Sequence, residues 1–391
     1  MEELKPVPPA PKKKPSLLLR LLAFLLTLVL LLGAVALVAF RDRINLDAVK
    51  RYFTYRSLER EDTGQAAPFQ VDSSGRGGFS NLGEDLLVWS SAGVRLYSPA
   101  GVEYISESLS FARPMADVRE EAAVVYDAGG TVLRGYADRK QGFSLDAEQG
   151  HEILSARMGP GGTLAVVTRE TGYKGVVTLY DSGYQPDMAI RISSRFVMDS
   201  ILSQDGEVAA VLTVGQSDSV FESSLALYDR TGDAPFAQCS LGNNAILDLG
   251  CSGGVFWALG ETGLSMVPLS GEGQVSFDYG GTYLKDYSLG GDGFATLLLG
   301  KYRAGSAASL TTVDAQGQTL GALELEEQIL DLSAAGRYVA VLTATSLSIY
   351  TRDLQLYQSL DNTMGARSVA LRGDGTAYLI GGETAQLYIP D

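Results

Sequence analysis

The sequence predicts an all-β protein, an eight-bladed β-propeller preceded by one transmembrane α-helix. Three observations support this fold class. Residues 85–391 repeat about every 42 residues, each repeat contains short apolar runs, and one long uncharged apolar run lies near the N-terminus. The repeat near residue 135 matches the others poorly, so a seven-bladed ring is the alternative.

The repeats are clearest where two segments of different blades share a phrase. Residues 245–254 resemble residues 328–337, and the tripeptide Leu-Tyr-Asp occurs at both 179–181 and 227–229. A period of 40 to 45 residues built from short apolar strands is typical of a propeller. The second strand of each repeat is an almost continuous apolar run, as expected for a strand buried on both faces. These runs are 85–89, 122–126, 163–168, 208–213, 255–259, 294–298, 338–343 and 376–380.

The last repeat lacks its fourth strand, because the chain given ends directly after the third. Upstream of the first complete repeat, residues 67–72 form a short strand-like segment with no local partner. An open sheet edge favours aggregation. We therefore expect residues 67–72 to supply the outer strand of the last blade and to close the ring.

The N-terminal region predicts a membrane anchor. Residues 21–40 contain no charged side chain, which is about the length that a helix needs to cross a bilayer. A cleaved signal peptide is the alternative interpretation. The predicted organisation is a basic cytoplasmic tail (1–16), a transmembrane helix (17–40), a juxtamembrane amphipathic helix or linker (41–61) and the propeller (62–391).

The charge distribution favours a cytoplasmic N-terminus and an extracellular propeller. Residues 1–61 contain 11 basic and 6 acidic side chains, whereas residues 62–391 contain 20 basic and 40 acidic side chains. Basic residues flank the apolar run on both sides, so the positive-inside rule alone does not decide the orientation. A strongly acidic propeller is not expected to bind nucleic acid or anionic lipid through its overall charge.

The whole layout resembles a poorly characterised family of single-pass membrane proteins from Firmicutes. The resemblance rests on the basic tail, the apolar run, the segment Ile-Asn-Leu-Asp-Ala-Val-Lys-Arg-Tyr at 44–52, and the propeller repeats. It implies a WD40- or YVTN-like propeller outside the membrane and brings no catalytic residues. The chain departs from true WD40 repeats, because neither Trp89 nor Trp257 stands in the Gly-His and Trp-Asp pattern.

Five aspartates recur at similar places in the predicted innermost strands. Carboxylates converging on a central channel would repel one another, raise one another's pKa and favour a cation. In the alternative interpretation each carboxylate accepts hydrogen bonds from backbone N–H groups as a structural element, and its pKa falls. The candidates are Asp117, Asp199, Asp248, Asp286 and Asp331. Ser155, Ser368 and Asn81 occupy the place in other repeats.

Few residues in the sequence point to catalysis. His151 is the only histidine and falls in a predicted loop, while Cys239 and Cys251 are expected to be separate, buried thiols. No metal or other cofactor is expected. The sequence predicts a binding or scaffold module for a protein or a cell-envelope ligand, with the bilayer as a second partner. The alternative is a propeller enzyme, either acting on envelope polysaccharide or a quinone-dependent dehydrogenase.

Overall fold

The computed structural model describes residues 21–22, 24–29, 31, 46–72, 75–217 and 219–390. The chain divides into an N-terminal unit that ends at Thr54 and a second unit, Tyr55–Asp391. The sequence predicted that the propeller starts at residue 62, and the second unit begins seven residues earlier, at Tyr55. It contains eight four-stranded sheets, each antiparallel. The prediction of eight blades is confirmed, and the seven-bladed alternative is wrong.

The N-terminal unit is helical where it is described. Residues 21–22, 24–29 and 31 are in helical conformation, and helix α1 spans Leu46–Tyr55. Most of the predicted transmembrane segment 17–40 and the whole predicted tail 1–16 lie outside the described residues. Within the part of the chain that is described, no helix has the length and apolar character needed to span a membrane.

Seven blades contain four strands that follow one another in the chain, and the last blade combines three such strands with one from before the first blade. The first strands are β2 (Gly77–Leu82), β6 (Pro114–Arg119), β10 (Ile153–Met158), β14 (Phe196–Leu202), β18 (Ile246–Ser252), β22 (Tyr283–Ser288), β26 (Ile329–Ala335) and β30 (Ser368–Leu371). The second strands are β3 (Asp85–Ser90), β7 (Ala122–Asp127), β11 (Leu164–Thr168), β15 (Val208–Ser217), β19 (Val255–Gly260), β23 (Phe294–Gly300), β27 (Tyr338–Thr343) and β31 (Ala377–Gly381).

The third strands are β4 (Gly93–Tyr97), β8 (Val132–Ala137), β12 (Gly175–Tyr180), β16 (Val220–Asp229), β20 (Gly263–Pro268), β24 (Ala308–Asp314), β28 (Ser346–Thr351) and β32 (Thr384–Tyr388). The fourth strands are β5 (Glu103–Ser108), β9 (Lys140–Asp146), β13 (Pro186–Ile192), β17 (Ala237–Ser240), β21 (Val275–Asp278), β25 (Thr319–Leu325), β29 (Leu356–Asp361) and, in the last blade, β1 (Phe69–Gln70). Blades 1 to 8 are numbered by their first strands. A 3-10 turn, Pro160–Gly162, precedes β11.

The core lies between the blades. The second strands are buried along most of their length, and β19 and β23 are buried at every residue. Eight clusters of buried apolar side chains occur, one between each pair of neighbouring blades. The first strands of successive blades contact one another, as β10 contacts β14, so these strands surround the central axis. This arrangement explains why the second strands show no apolar–polar alternation in the sequence.

The ring closes through the segment predicted from the sequence. In β1, Phe69 pairs with Ala385 and Gln70 with Thr384 of β32. Further backbone hydrogen bonds extend the pairing before and after β1. On the N-terminal side, Ala66 N donates to Leu387 O at 2.9 Å. The Gln386 side chain adds a bond from its Nε2 to the Ala66 carbonyl at 2.6 Å. The prediction that residues 67–72 complete the last blade is confirmed.

A close approach at Gly101 fixes the closing strand against blade 1. A Cβ atom on Gly101 would lie 2.4 Å from the Cβ of Phe69, and the residue has a φ of +78°. The Phe69 ring packs against Tyr97 with ring centroids 5.8 Å apart. Glycine at position 101 therefore satisfies the turn conformation and leaves room for Phe69.

Candidate functional site

The central channel is lined by first strands that share a β-bulge. In blades 3 to 7 the register of the first strand shifts by one residue directly before the recurring Asp or Ser. The extra residue is left without a partner on the second strand, and bulges of this kind commonly redirect side chains near functional sites. The five unpaired residues are Leu154, Met198, Leu247, Lys285 and Leu330.

The aspartate that follows each bulge binds backbone. In four blades one carboxylate oxygen accepts a hydrogen bond from the N–H of the next residue, at 2.8 Å for Asp199, Asp248 and Asp286 and 3.0 Å for Asp331. A bulge interrupts the sheet ladder, and the carboxylate supplies an acceptor there. These contacts agree with the structural interpretation of the repeated aspartates.

Asp117 does not occupy the same place as the other four aspartates. It pairs with Val124, the third residue of β7, whereas Asp248 pairs with Leu259, the fifth residue of β19. Strand β6 has no bulge, and Asp117 reaches the next blade, where its Oδ2 accepts a bond from Met158 N at 2.7 Å. The expected equivalence of all five positions is therefore wrong. Asp117 lies two residues further along its strand.

Arg157 brings three of the five aspartates together. Its Nη2 lies 2.7 Å from Asp199 Oδ2 and 2.7 Å from Asp248 Oδ1, and its Nη1 lies 3.3 Å from Asp117 Oδ1. The guanidinium thus connects blades 2, 4 and 5 to its own blade 3. Ser155, which replaces the aspartate in blade 3, donates a hydrogen bond to Asp199.

Sequence reasoning missed Arg157, although a signal was present. Blade 3 is one of the blades with a serine at the place of the aspartate, and an arginine follows that serine two residues later. Because side chains alternate along a strand, the arginine lies on the same face as the serine. A basic residue on the channel face of a blade without its own carboxylate indicates a counterion for the neighbouring blades.

The pKa values of these groups follow from burial. Burial opposes the charge on Arg157, but the carboxylates of Asp199, Asp117 and Asp248 outweigh it and raise the pKa of the guanidinium well above its usual value. Burial raises the pKa of Asp117, although Arg157 and the Met158 N–H act in the opposite direction. The structural interpretation predicted lowered aspartate pKa values. That expectation is wrong for Asp117, and equally for Asp286 and Asp331, because desolvation dominates.

Asp286 and Asp331 have no contact with Arg157 among those the structure records, and they differ from one another. Asp331 uses both oxygens, since its Oδ2 accepts a second bond from Val369 N at 2.7 Å. Asp286 has one recorded bond, from Tyr287 N to Oδ1. Burial raises the pKa of Asp331 and raises that of Asp286 to about 6. Asp286 thus keeps a carboxylate oxygen to which no described residue donates a recorded hydrogen bond, and unlike Asp248 it has no recorded contact with Arg157.

One face of the propeller carries an apolar surface. We define the front face as the one on which the first strands begin; the loops between blades and the hairpins joining second to third strands lie on the same face. Large apolar side chains are exposed on this face, and three of them are bulge residues. They are Met115, Tyr173, Phe196, Met198, Val220, Phe221, Leu247, Tyr283, Tyr302, Leu330 and Met364.

Two adjoining depressions cross the front face over blades 4 to 7. The smaller, about 370 Å³, is lined by Met198, Phe221 and Ile246. The larger, about 980 Å³, is lined by Tyr283, Asp286 and Leu330 among others. Both include Glu261 and Thr262 in their walls, so together they form one groove. We call it the front groove.

The channel opens at its other end into a depression of about 460 Å³ that includes Arg119, Arg157 and Cys251. Cys239 and Cys251 are both free thiols, as expected; Cys239 is buried, but the prediction that Cys251 is also buried is wrong, because it is only partly covered. His151 lies half-buried in the loop between β9 and β10. In the described part of the chain, no group of three or more His, Cys, Asp or Glu side chains could hold a metal ion.

The fold defines the class of protein, which is a β-propeller of the WD40-like kind. Residues 51–234 match a family described as "Family of unknown function (DUF5711)". No curated protein matches the sequence. Among solved structures, the C-terminal WD40 domain of Sif2 is 11% identical with a TM-score of 0.56, covering 84% of this chain and 96% of that one. Sqt1 from Saccharomyces cerevisiae is 11% identical with a TM-score of 0.53, covering 82% and 97%. At these identities the likeness establishes the fold alone.

Proposed function

We propose that this protein is a membrane-anchored binding module whose propeller recruits a protein or cell-envelope partner through its front face, outside the cell. The observation that carries the proposal is the set of exposed apolar side chains on the front face. Monomeric soluble proteins rarely expose a large contiguous apolar surface, and such surfaces commonly mark interaction sites. Aromatic and methionine side chains are also the types enriched at interfaces.

The proposal assigns no catalysis to the propeller. Arg157 pairs with three of the five carboxylates of the channel, and the remaining two bind backbone N–H groups. Paired and hydrogen-bonded carboxylates are suited to holding blades together. A glycoside hydrolase instead requires two carboxyl groups free to act on the bond between them.

The membrane anchor rests on the uncharged run 21–40 and is supported by helix α1. Val49, Tyr52 and Phe53 are exposed and are spaced so that they share one side of this helix. Tyr52 and Phe53 also contact one another edge to face, with ring centroids 5.5 Å apart. Apolar and aromatic side chains on one side of a short helix suit the membrane interface.

Photo-crosslinking in cells tests the binding surface. A photoreactive amino acid at Phe221, which is 70% exposed on the front face, should give a crosslinked adduct with a partner. The matched control is Leu356, which is 60% exposed as the first residue of β29 on the opposite face. We expect adducts at position 221 in clear excess. Equal adducts at both positions, or adducts at 356 alone, would remove the front face as the binding surface.

Protease treatment of protoplasts tests the anchor and its orientation. We expect protease added outside to remove the propeller and to spare a tag on residues 1–16, because the basic tail is proposed to be cytoplasmic. Lysed protoplasts provide the control in which the tag is also digested. A propeller protected in intact protoplasts and digested after lysis would reverse the orientation, and a propeller in the soluble fraction would contradict the anchor.

A further inference from the structure

The front groove contains a half-buried carboxylate with one oxygen to which no described residue donates a recorded hydrogen bond. Asp286 lies half-buried in its wall, and one of its carboxylate oxygens accepts the Tyr287 N–H. The other oxygen has no recorded donor among the described residues. A half-buried carboxylate with one hydrogen bond is costly to keep charged, and burial raises its pKa to about 6.

The neighbouring charges do not supply the missing partner. The Lys285 ammonium donates to the Gly305 carbonyl. The Arg303 guanidinium lies 3.8 Å from Glu261 and over the Tyr283 ring. Two further carboxylates, Asp278 in the same groove and Asp331 in the next blade, accept backbone N–H bonds. Asp278 is exposed, whereas Asp286 is half-buried and keeps one carboxylate oxygen open to a cationic ligand.

The walls beside Asp286 are suited to the aliphatic stem of a basic side chain. Tyr283, Leu284, Ile329 and Leu330 line the same depression. Lysine and arginine bury their methylene groups along apolar surface while the charged end reaches a polar partner. The groove continues past Glu261 and Thr262 to the apolar wall formed by Met198, Leu212, Val214 and Phe221. A small amine would fill only part of this space.

We propose that the front groove binds an extended peptide segment of a partner protein, with one lysine or arginine side chain at Asp286 and apolar side chains against the wall around Phe221. This inference rests on the proposed binding function and names the partner's chemistry. The charge of the propeller agrees with it, since residues 62–391 carry twice as many acidic as basic side chains. Apolar contacts would supply affinity, and the ion pair would fix the register of the peptide.

Selection from a random heptapeptide phage library on the purified full-length protein tests this proposal. We expect enriched peptides to contain Lys or Arg between apolar residues. They should bind Asp286→Asn at least about tenfold more weakly, because the charge-assisted contact is lost. The matched control is Asp314→Asn in the same blade, where the side chain accepts two backbone bonds through Oδ1 in a turn. This variant should bind as the wild type does.

The design separates loss of binding from loss of folding. Asparagine at 286 keeps the Oδ1 acceptor for Tyr287, and the raised pKa means that ionisation of Asp286 opposes folding above about pH 6. Asp286→Asn should therefore melt no lower than the wild type at pH 7.5. A lower melting temperature would contradict the account of Asp286 as an unsatisfied carboxylate.

Three other results would overturn the proposal: no enriched peptide, enriched peptides without a basic residue, or equal binding to Asp286→Asn. Concentration-dependent dimerisation that Phe221→Ser abolishes would assign the groove to a second copy of the chain and would also overturn it. If any of these occurs while position 221 still crosslinks a different protein in cells, the proposed binding function stands and only the peptide assignment fails.

Discussion

Replacing Arg157 with methionine should lower the stability of the propeller by about 3–5 kcal/mol, because it removes the cation from a partly buried cluster of charges. Asp117, Asp199 and Asp248 would then face one another across the channel with no counterion. The measurement is urea denaturation followed by fluorescence of the two tryptophans, one of which, Trp257, is buried. We expect the midpoint to shift to clearly lower urea concentration.

Two further variants identify the cause of this loss. Arg119 lies on β6 and makes one recorded bond, to the Leu202 carbonyl at 3.4 Å, so Arg119→Met should change stability little. Adding Asp199→Asn and Asp248→Asn to Arg157→Met should restore part of the lost stability, since fewer charges remain unpaired. If Arg157→Met costs no more than Arg119→Met, the charge cluster does not hold these blades together.

Deleting residues 64–72 should have the second large effect. The deletion removes β1 and the flanking backbone bonds, including that from Val71 N to Glu383 O at 2.9 Å. It also removes Ala66 and Val71 from the core between blades 8 and 1. The lost hydrogen bonds and apolar burial are worth on the order of 5 kcal/mol. The exposed edge of β32 should in addition cause aggregation, which size-exclusion chromatography with light scattering would detect.

The control is deletion of residues 1–54, which leaves the second unit, Tyr55–Asp391, intact. This shorter protein should remain monomeric and should melt close to the full-length chain. A monomeric, stable protein lacking residues 64–72 would mean that blade 8 does not need its outer strand. Aggregation of both truncated proteins would assign the effect to the N-terminal unit.

The blade count and the ring closure could be predicted because both leave a direct trace in the sequence. A second strand buried on both faces must be apolar throughout, so each blade can be recognised in the sequence by such a run. A missing fourth strand leaves an edge that another segment must cover. The apolar second strands and the covered edge depend only on the hydrophobic effect and backbone hydrogen bonding, which act in the same way in every blade.

The channel was predicted less well because one inserted residue changes which side chains share a face. The bulge before Asp199 or Asp248 is absent from β6, so grouping Asp117 with them by sequence position placed it incorrectly. Arg157 was missed for a related reason. Its partners come from three other blades, and the local signal, an arginine two residues after the serine of blade 3, does not show which distant residues those partners are.

The apolar front face could not be predicted, because the apolar runs that identify the strands do not distinguish buried from exposed side chains. Met198, Leu247 and Leu330 belong to apolar stretches that are indistinguishable by composition from core strands. Only the bulges show that these three side chains are exposed. An apolar residue on an exposed face and one in the core give the same sequence signal when the local period is broken.

The pairing of Phe69 in β1 with Ala385 in β32 delays completion of the ring during synthesis of the chain. A ribosome makes the first of these residues long before the second, and domains fold as their segments emerge. Seven blades can assemble from segments that are adjacent in the chain before the partner strand of Phe69 has been synthesised. The final blade can be completed only when residues 384–388 have left the ribosome. The maturation of this ring is therefore a late event, and until it occurs the nascent chain exposes two unsatisfied strand edges to chaperones and proteases.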